Sequence, residues 1–162
     1  MNLPKLLDVH IGLIRRIVRS GVIPPCGDLL PMCAAFRSDA SFIAVVSVEL
    51  TPDRAQRQSQ HVRMMQWLQE QGAAAYGWAA PAWGVTVPAA SLAMVTAEGV
   101  EKHPDRQETV VCVVGDKDET LSMELLIMRG ADGRILELKE TRISRATTGL
   151  FHDMLLQPRA TH

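Results

Sequence analysis

Leu3, Leu6, Leu7, His10, Ile14, Ile17 and Val18 recur at steps of three and four residues, the spacing that gathers side chains on one stripe of a helix. A helix is expected from Leu3 to Val18, and Gly21 can close it in a left-handed cap. Pro24, Pro25, Gly27 and Pro31 then break the pattern, so residues 22–41 read as an ordered connection skirting the core, with a short turn or a brief strand near Leu29 to Ala35. Phe42 to Leu50 is a nearly continuous apolar run of strand length, as expected for a strand covered on both faces over part of its course. Thr51-Pro52-Asp53 supplies an N-cap, a proline at the first helical position and an acid in the first turn, predicting a polar helix that stops near Gly72. Ala55, Val62, Met65 and Leu68, helped by Trp67, form its narrow apolar side, so it should lie over a sheet surface.

From Ala73 to Val87, Tyr76 and Trp78 alternate with small residues, which predicts a strand that is bulged, broken or at an edge around Pro81. Pro88 to Pro104 holds no sustained period and reads as the long loop of the chain, the place for mobility or function. Gln107 to Val114 is a β-branched run closed by Gly115, and Asp116 to Glu119 is turn chemistry before a second strand from Thr120 to Met128. Asp132-Gly133 accepts positive φ cheaply and introduces a third strand, Ile135 to Glu140. Thr147 or Thr148 could cap a short terminal helix carrying Leu150, Phe151, Met154 and Leu155, stopped by Pro158.

These elements predict a single α+β domain over residues 1–162, with an antiparallel β-meander of about five strands and one β-α-β crossover. Two helices are expected to cover one face of the sheet. The other face, with Glu124, Glu137, Lys139 and Glu140 among apolar residues, would stay partly exposed and could pair two copies.

Composition narrows the function classes more than it selects one. The 162 residues are 47% apolar, enough for one core, and a net charge of -1 gives no electrostatic footprint for nucleic acid. Lys5, Arg15, Arg16 and Arg19 gather on the first helix, but three of them sit in its last turns, where the helix dipole favours cations. Cys26, Cys33 and Cys112 are odd in number and Cys112 lies within an apolar strand, so a disulfide framework is not expected. Asp8 and His10 interrupt the apolar stretch Leu3 to Val18, Arg15-Arg16 sit at its middle instead of its start, and no run reaches the roughly 18 apolar residues of a spanning helix, which makes the cytoplasm the expected location.

His103-Pro104-Asp105 is the tripeptide of co-chaperone J-domains, where it sits between two antiparallel helices. Here a valine run follows within a few residues, so a Pro-Asp turn is expected, with Asp105 accepting backbone N–H groups and Arg106 and Glu108 on one face of the strand. His103, Asp105 and Glu108 lack the second carboxylate pair that a hard cation would favour, and no further Cys or His pair completes a zinc site with Cys26 and Cys33. A cysteine nucleophile served by His10, His61 or His152 would have to be assembled by the fold, since no nucleophile elbow marks it. No cofactor or metal is expected. Tyr76, Trp78 and Trp83 concentrate the large aromatic surface, with core packing the first reading and a partner surface at Trp83 the sharper one.

The stretch from Tyr76 to Glu140 resembles small proteins of bacteria and their phages in which a strand ends in Ala-Trp, a polar loop follows, and Pro-Asp-Arg-x-Glu opens the next strand. The matching residues are Ala82-Trp83, Pro104-Asp105-Arg106 with Glu108, and the turn at Asp132-Gly133; Pro81 stands where that group carries an acid. The resemblance implies the fold and a mobile-element or accessory origin, and brings no activity with it.

The expected function is therefore a non-enzymatic binding protein, homo-oligomeric, acting through a protein partner or self-association. Its candidate binding residues are Tyr76, Trp78, Trp83, His103, Asp105, Arg106 and Glu108. The competing expectations are a small ligand-binding protein or enzyme with a pocket near Trp78, Trp83, His103 and Asp105, and an inhibitor or antitoxin-like protein acting through the meander edge.

Overall fold

A computed structural model describes residues 1–22, 27–49, 51, 53–85 and 87–146. Among them are three α-helices, α1 (Leu3–Arg19), α2 (Arg54–Glu70) and α3 (Leu92–Glu98), and six strands. The strands are β1 (Met32–Phe36), β2 (Phe42–Ser47), β3 (Ala75–Gly84), β4 (Gln107–Gly115), β5 (Thr120–Arg129) and β6 (Ile135–Ala146). They form one open antiparallel sheet in the order β2-β1-β3-β4-β5-β6. The expected terminal helix and Cys26 lie outside the described residues.

The expected meander is present in full as β4, β5 and β6, and β3 extends it to four strands. Gly133, at φ 78, makes the turn into β6 as the Asp-Gly pair requires. The connection 22–41 holds the sixth strand: β1 is inserted between β2 and β3, which run parallel to one another because each is antiparallel to β1. The crossover β2-α2-β3 thus passes over a strand already in place. It also leaves β2 at the edge of the sheet, where its apolar side chains are half-exposed, instead of at a doubly covered centre.

The two long helices lie on opposite faces, contrary to the expectation that they share one. Leu3, Leu6, Leu7, Ile11 and Ile14 of α1 pack on Met32, Ala34, Phe36, Ala79, Val110, Cys112, Val114, Leu121 and Leu125. Met65 and Leu68 of α2, with Met64 and Trp67, pack on Cys33, Ala35, Tyr76, Trp78 and Val113. Strand alternation sends these two sets to opposite sides, so the short run Met32–Phe36 is buried throughout. Each large aliphatic residue buried by α1 contributes about 1.5–3 kcal/mol. Met65, Leu68 and Trp67 face the sheet as expected, but Ala55 and Val62 of the expected stripe are exposed and Met64 turns inward in their place.

Capping explains both helix starts. Asn2 accepts the Lys5 amide at 3.0 Å to open α1, and Gly21 follows its end at φ 72. Asp53, not Thr51, caps α2, accepting the Gln56 amide at 2.8 Å; the Thr51 hydroxyl instead accepts the Asp53 amide and donates to the Gln56 side chain. Beyond α2 the second face is partly open over β5 and β6, as expected for Glu124, Glu137 and Lys139. Glu140 departs from that group, since it pairs with Arg15 of α1 at 2.9 Å on the other face.

Candidate binding surface at one end of the sheet

β3 holds a continuous register with β4 from Tyr76–Gly115 to Gly84–Gln107, so Pro81 neither bulges nor breaks it. The third expected alternative, an edge, holds: β3 outruns β1 after Ala79, leaving 80–84 with β4 as their neighbour. An unbroken strand alternates strictly, which divides the three aromatics. Tyr76 and Trp78 face α2 and are 0% and 6% exposed, so neither belongs to an open binding surface. Trp83, an odd number of residues further, emerges on the opposite face at 48% exposure.

Trp83 stands directly across from Glu108 in the ladder. The Arg106 guanidinium lies 5.0 Å from the centre of its ring, a cation–π contact that holds the indole while leaving half of it in water. Behind it, Glu108 and Arg129 form a two-pronged pair, with Nε donating to Oε2 at 2.7 Å and Nη2 donating to Oε1. The hydrogen bond from Arg129 holds the Glu108 carboxyl below the usual carboxylate range, and the same bond pushes the guanidinium up. Arg129 also donates to Asp28 and to the Gly133 carbonyl, at 3.1 and 2.9 Å, fastening the chain before β1 to the β5–β6 turn. Arg129 and Asp28 were invisible to pattern reading. The β4–β5 hairpin register places residue 108 beside Ile127, two positions from Arg129, and that alignment is the signal that could have found the pair.

The segment expected as a loop, 88–104, is a helical excursion: a 3-10 turn at Ala89–Ser91, α3, and a second 3-10 turn at Val100–Lys102. Val95 anchors it at 3% exposure while Met94 remains 57% exposed, and Gly99 ends α3 at φ 90. The Val100–Lys102 turn lies against β3 and delivers the chain to His103. His103 Nδ1 accepts the Asp105 amide at 3.1 Å, so the imidazole and not the Asp105 carboxylate braces this turn, correcting the expectation. β4 follows as a strand, which is not the helix-loop-helix setting of a J-domain.

A cleft of about 400 Å³ opens at the same end, lined by Asp28, Leu29, Leu30, Pro31, Ser47, Val48, Glu49 and Pro81. It includes none of Trp78, Trp83, His103 and Asp105, the groups expected to share a pocket. Among the described residues no cluster of three or more His, Cys, Asp or Glu is arranged to hold a metal. Cys33 and Cys112 are free, buried on opposite faces, and burial pushes each thiol up to about 12. A thiolate nucleophile is therefore strongly disfavoured at either position. Among the described residues no helix is long and apolar enough to cross a membrane. Comparison with known protein families, curated proteins and solved structures finds no match.

Proposed function

We propose that the chain is a non-enzymatic binding protein whose recognition surface is the end of the sheet bearing Trp83, Arg106 and the 88–104 excursion, and that it engages a protein partner. The observation that supports this is Trp83 itself, half exposed yet held in place by Arg106. Tryptophan and arginine are the residues most enriched among energetically dominant interface positions, and a braced side chain loses little further freedom on binding. The neighbouring charges are already satisfied: Glu108 is spent on Arg129, which suits scaffolding better than proton transfer. Exposed Met94 adds adaptable apolar surface on the same excursion.

Affinity capture of the tagged protein from its own cells tests the reading, comparing wild type with Trp83→Ala and Arg106→Ala. A partner retained by wild type and lost, or weakened by at least tenfold, in Trp83→Ala is the expected result. An identical set of captured proteins for all three overturns it.

A further inference from the structure

The cleft beside Pro81 joins apolar walls to acidic groups. Leu30, Pro31, Val48 and Pro81 line it with carbon, and Asp28 and Glu49 are the charged residues of its described lining. Hydrogen bonds fix its shape in advance of a ligand. The Val48 amide donates to the Pro31 carbonyl at 2.7 Å, joining the two sides where the β1–β2 ladder ends. Arg129 donates to the Gly27 carbonyl and the Asp28 carboxylate at 3.4 and 3.1 Å, and the Gln60 side chain donates to the Glu49 carbonyl at 2.6 Å. Leu30 is nevertheless 64% exposed, an aliphatic side chain held in water on the cleft. The charge is one-sided. Among the described residues Glu49 makes no ion pair, and the Arg129 guanidinium is divided between Asp28 and Glu108, so two carboxylates share a single cation and the cleft keeps a negative surplus.

We propose that this cleft receives a lysine or arginine side chain of the protein partner, its methylenes along Leu30, Pro31, Val48 and Pro81 and its charge on Glu49. The lining excludes the alternatives by charge and by solvation. An anion would meet carboxylates, and a wholly apolar group would take water from Asp28 and Glu49 without replacing it. An aliphatic stem with a cationic tip suits both parts, because basic side chains lay their carbon on apolar surface and keep the head polar. The proposal rests on the Trp83 reading for the source of that side chain. Pro81 and Trp83 are two residues apart on one face of β3, so one extended segment lying over the indole reaches the cleft with a neighbouring side chain. The volume of about 400 Å³ is in the range that holds a small ligand, which lets the side chain be titrated by itself.

The full chain, isotope-labelled, is titrated by NMR with three probes: the N-acetyl methylamides of lysine, of arginine and, as an uncharged aliphatic chain, of norleucine. Saturable shifts of the Leu30, Val48 and Glu49 amides are expected with a basic probe, with binding tighter than that of the norleucine probe by up to about fivefold. Raising the salt from about 0.1 to 1 M should erase most of that preference. Glu49→Gln, at an exposed position and checked by circular dichroism, should erase it too while leaving the norleucine probe unchanged. The same variant should weaken capture of the Trp83-dependent partner by up to about fivefold. Equal binding of the three probes, or none, overturns the cation site, whether or not Trp83→Ala loses a partner. A preference for basic probes, with a partner lost on Trp83→Ala but untouched by Glu49→Gln, overturns the partner's side chain as occupant and leaves the Trp83 surface standing. A preference for basic probes with no Trp83-dependent partner overturns the protein source along with the Trp83 reading. If Glu49→Gln fails to fold, the three-probe comparison and its salt dependence decide.

Discussion

The imidazole of His10, on α1, donates its Nε2 hydrogen to the carbonyl oxygen of Trp78, 3.1 Å away in β3, while its Nδ1 has no hydrogen-bond partner. The ring is fully buried, edge-on to Phe36 with centroids 5.9 Å apart, and sits against Gly77. A neutral tautomer satisfies one nitrogen and leaves the other as an acceptor facing apolar surroundings. Protonation there would bury an unpaired charge.

That environment makes stability depend on pH. Burial lowers the His10 pKa to about 4 despite the opposing hydrogen bond to Trp78. The unfolded imidazole, near its ordinary value of 6.5, takes up a proton first, so the unfolded state is favoured as pH falls from 6.5 towards 4. Above 6.5 the group has no effect. Urea titrations of wild type and His10→Gln should show a loss of roughly 2–3 kcal/mol over that window in the wild type and a flatter profile in the variant. Equal slopes would contradict the assignment.

Gly77→Ala should be among the most damaging single-methyl changes in the chain. A Cβ at this position would come within 2.5 Å of His10 Nδ1 and 2.8 Å of Cγ, and the buried ring has nowhere to go without releasing Trp78. The expected cost is about 1–3 kcal/mol by thermal or urea denaturation. Gly12→Ala, where nothing lies within 4 Å, is the control and should be neutral or slightly stabilising.

Glu108→Gln should destabilise the Trp83 end of the sheet while leaving the opposite end unaltered. The variant loses the carboxylate that Arg129 grips with two nitrogens, both partners being partly buried. About 1–3 kcal/mol is expected at neutral pH. Because the folded Glu108 pKa is lowered, its contribution is present above the ordinary carboxylate range and fades as pH falls through the folded value, so wild type and variant should converge in acid. Tryptophan emission should shift little, since Arg106 and not Glu108 covers the Trp83 ring.

Native protein should leave Cys33 and Cys112 unreactive towards a thiol reagent at neutral pH, and both should react on unfolding. Fast labelling of either thiol in the native state would show that its strand opens readily. With Cys26 replaced by alanine throughout, further Cys33→Ala and Cys112→Ala substitutions allow each site to be followed separately.

How far the sequence announced this structure depended on whether an element carries its own period. The valine run before Gly115, the Asp132-Gly133 turn and the α1 stripe do, and each is found where expected. β1 does not: Met32-Cys33-Ala34-Ala35-Phe36 is buried on both sides, so no alternation marks it, and prolines precede it. The α2 inward side was read correctly at Met65, Leu68 and Trp67 and missed at Ala55 and Val62, because a mostly polar helix has too few apolar positions to fix how far the stripe extends. For the candidate surface, one assumption about Pro81 mattered most. A break there would have left the orientation of Trp83 unconstrained, whereas the continuous register with β4 sets it on the face opposite Tyr76 and Trp78. Arg106 and Glu108 were expected to share a face and do, together with Trp83; the Arg129 and Asp28 partners come from another hairpin and from the chain before β1, which a reading of local pattern does not join.

The insertion of β1 between β2 and β3 divides the sheet into two pieces of different ancestry in the folding reaction. β3 to β6 are consecutive neighbours and can assemble by short-range steps, whereas the β1–β2 hairpin reaches its berth along one seam, Met32–Phe36 against Ala75–Ala79, across the whole length of α2. Native-state hydrogen exchange should therefore find the hairpin amides opening together, at lower free energy than those of β4 and β5. That result would mean that one flank, with its uncharged outer strand, unlatches while the strands carrying Trp83 stay intact.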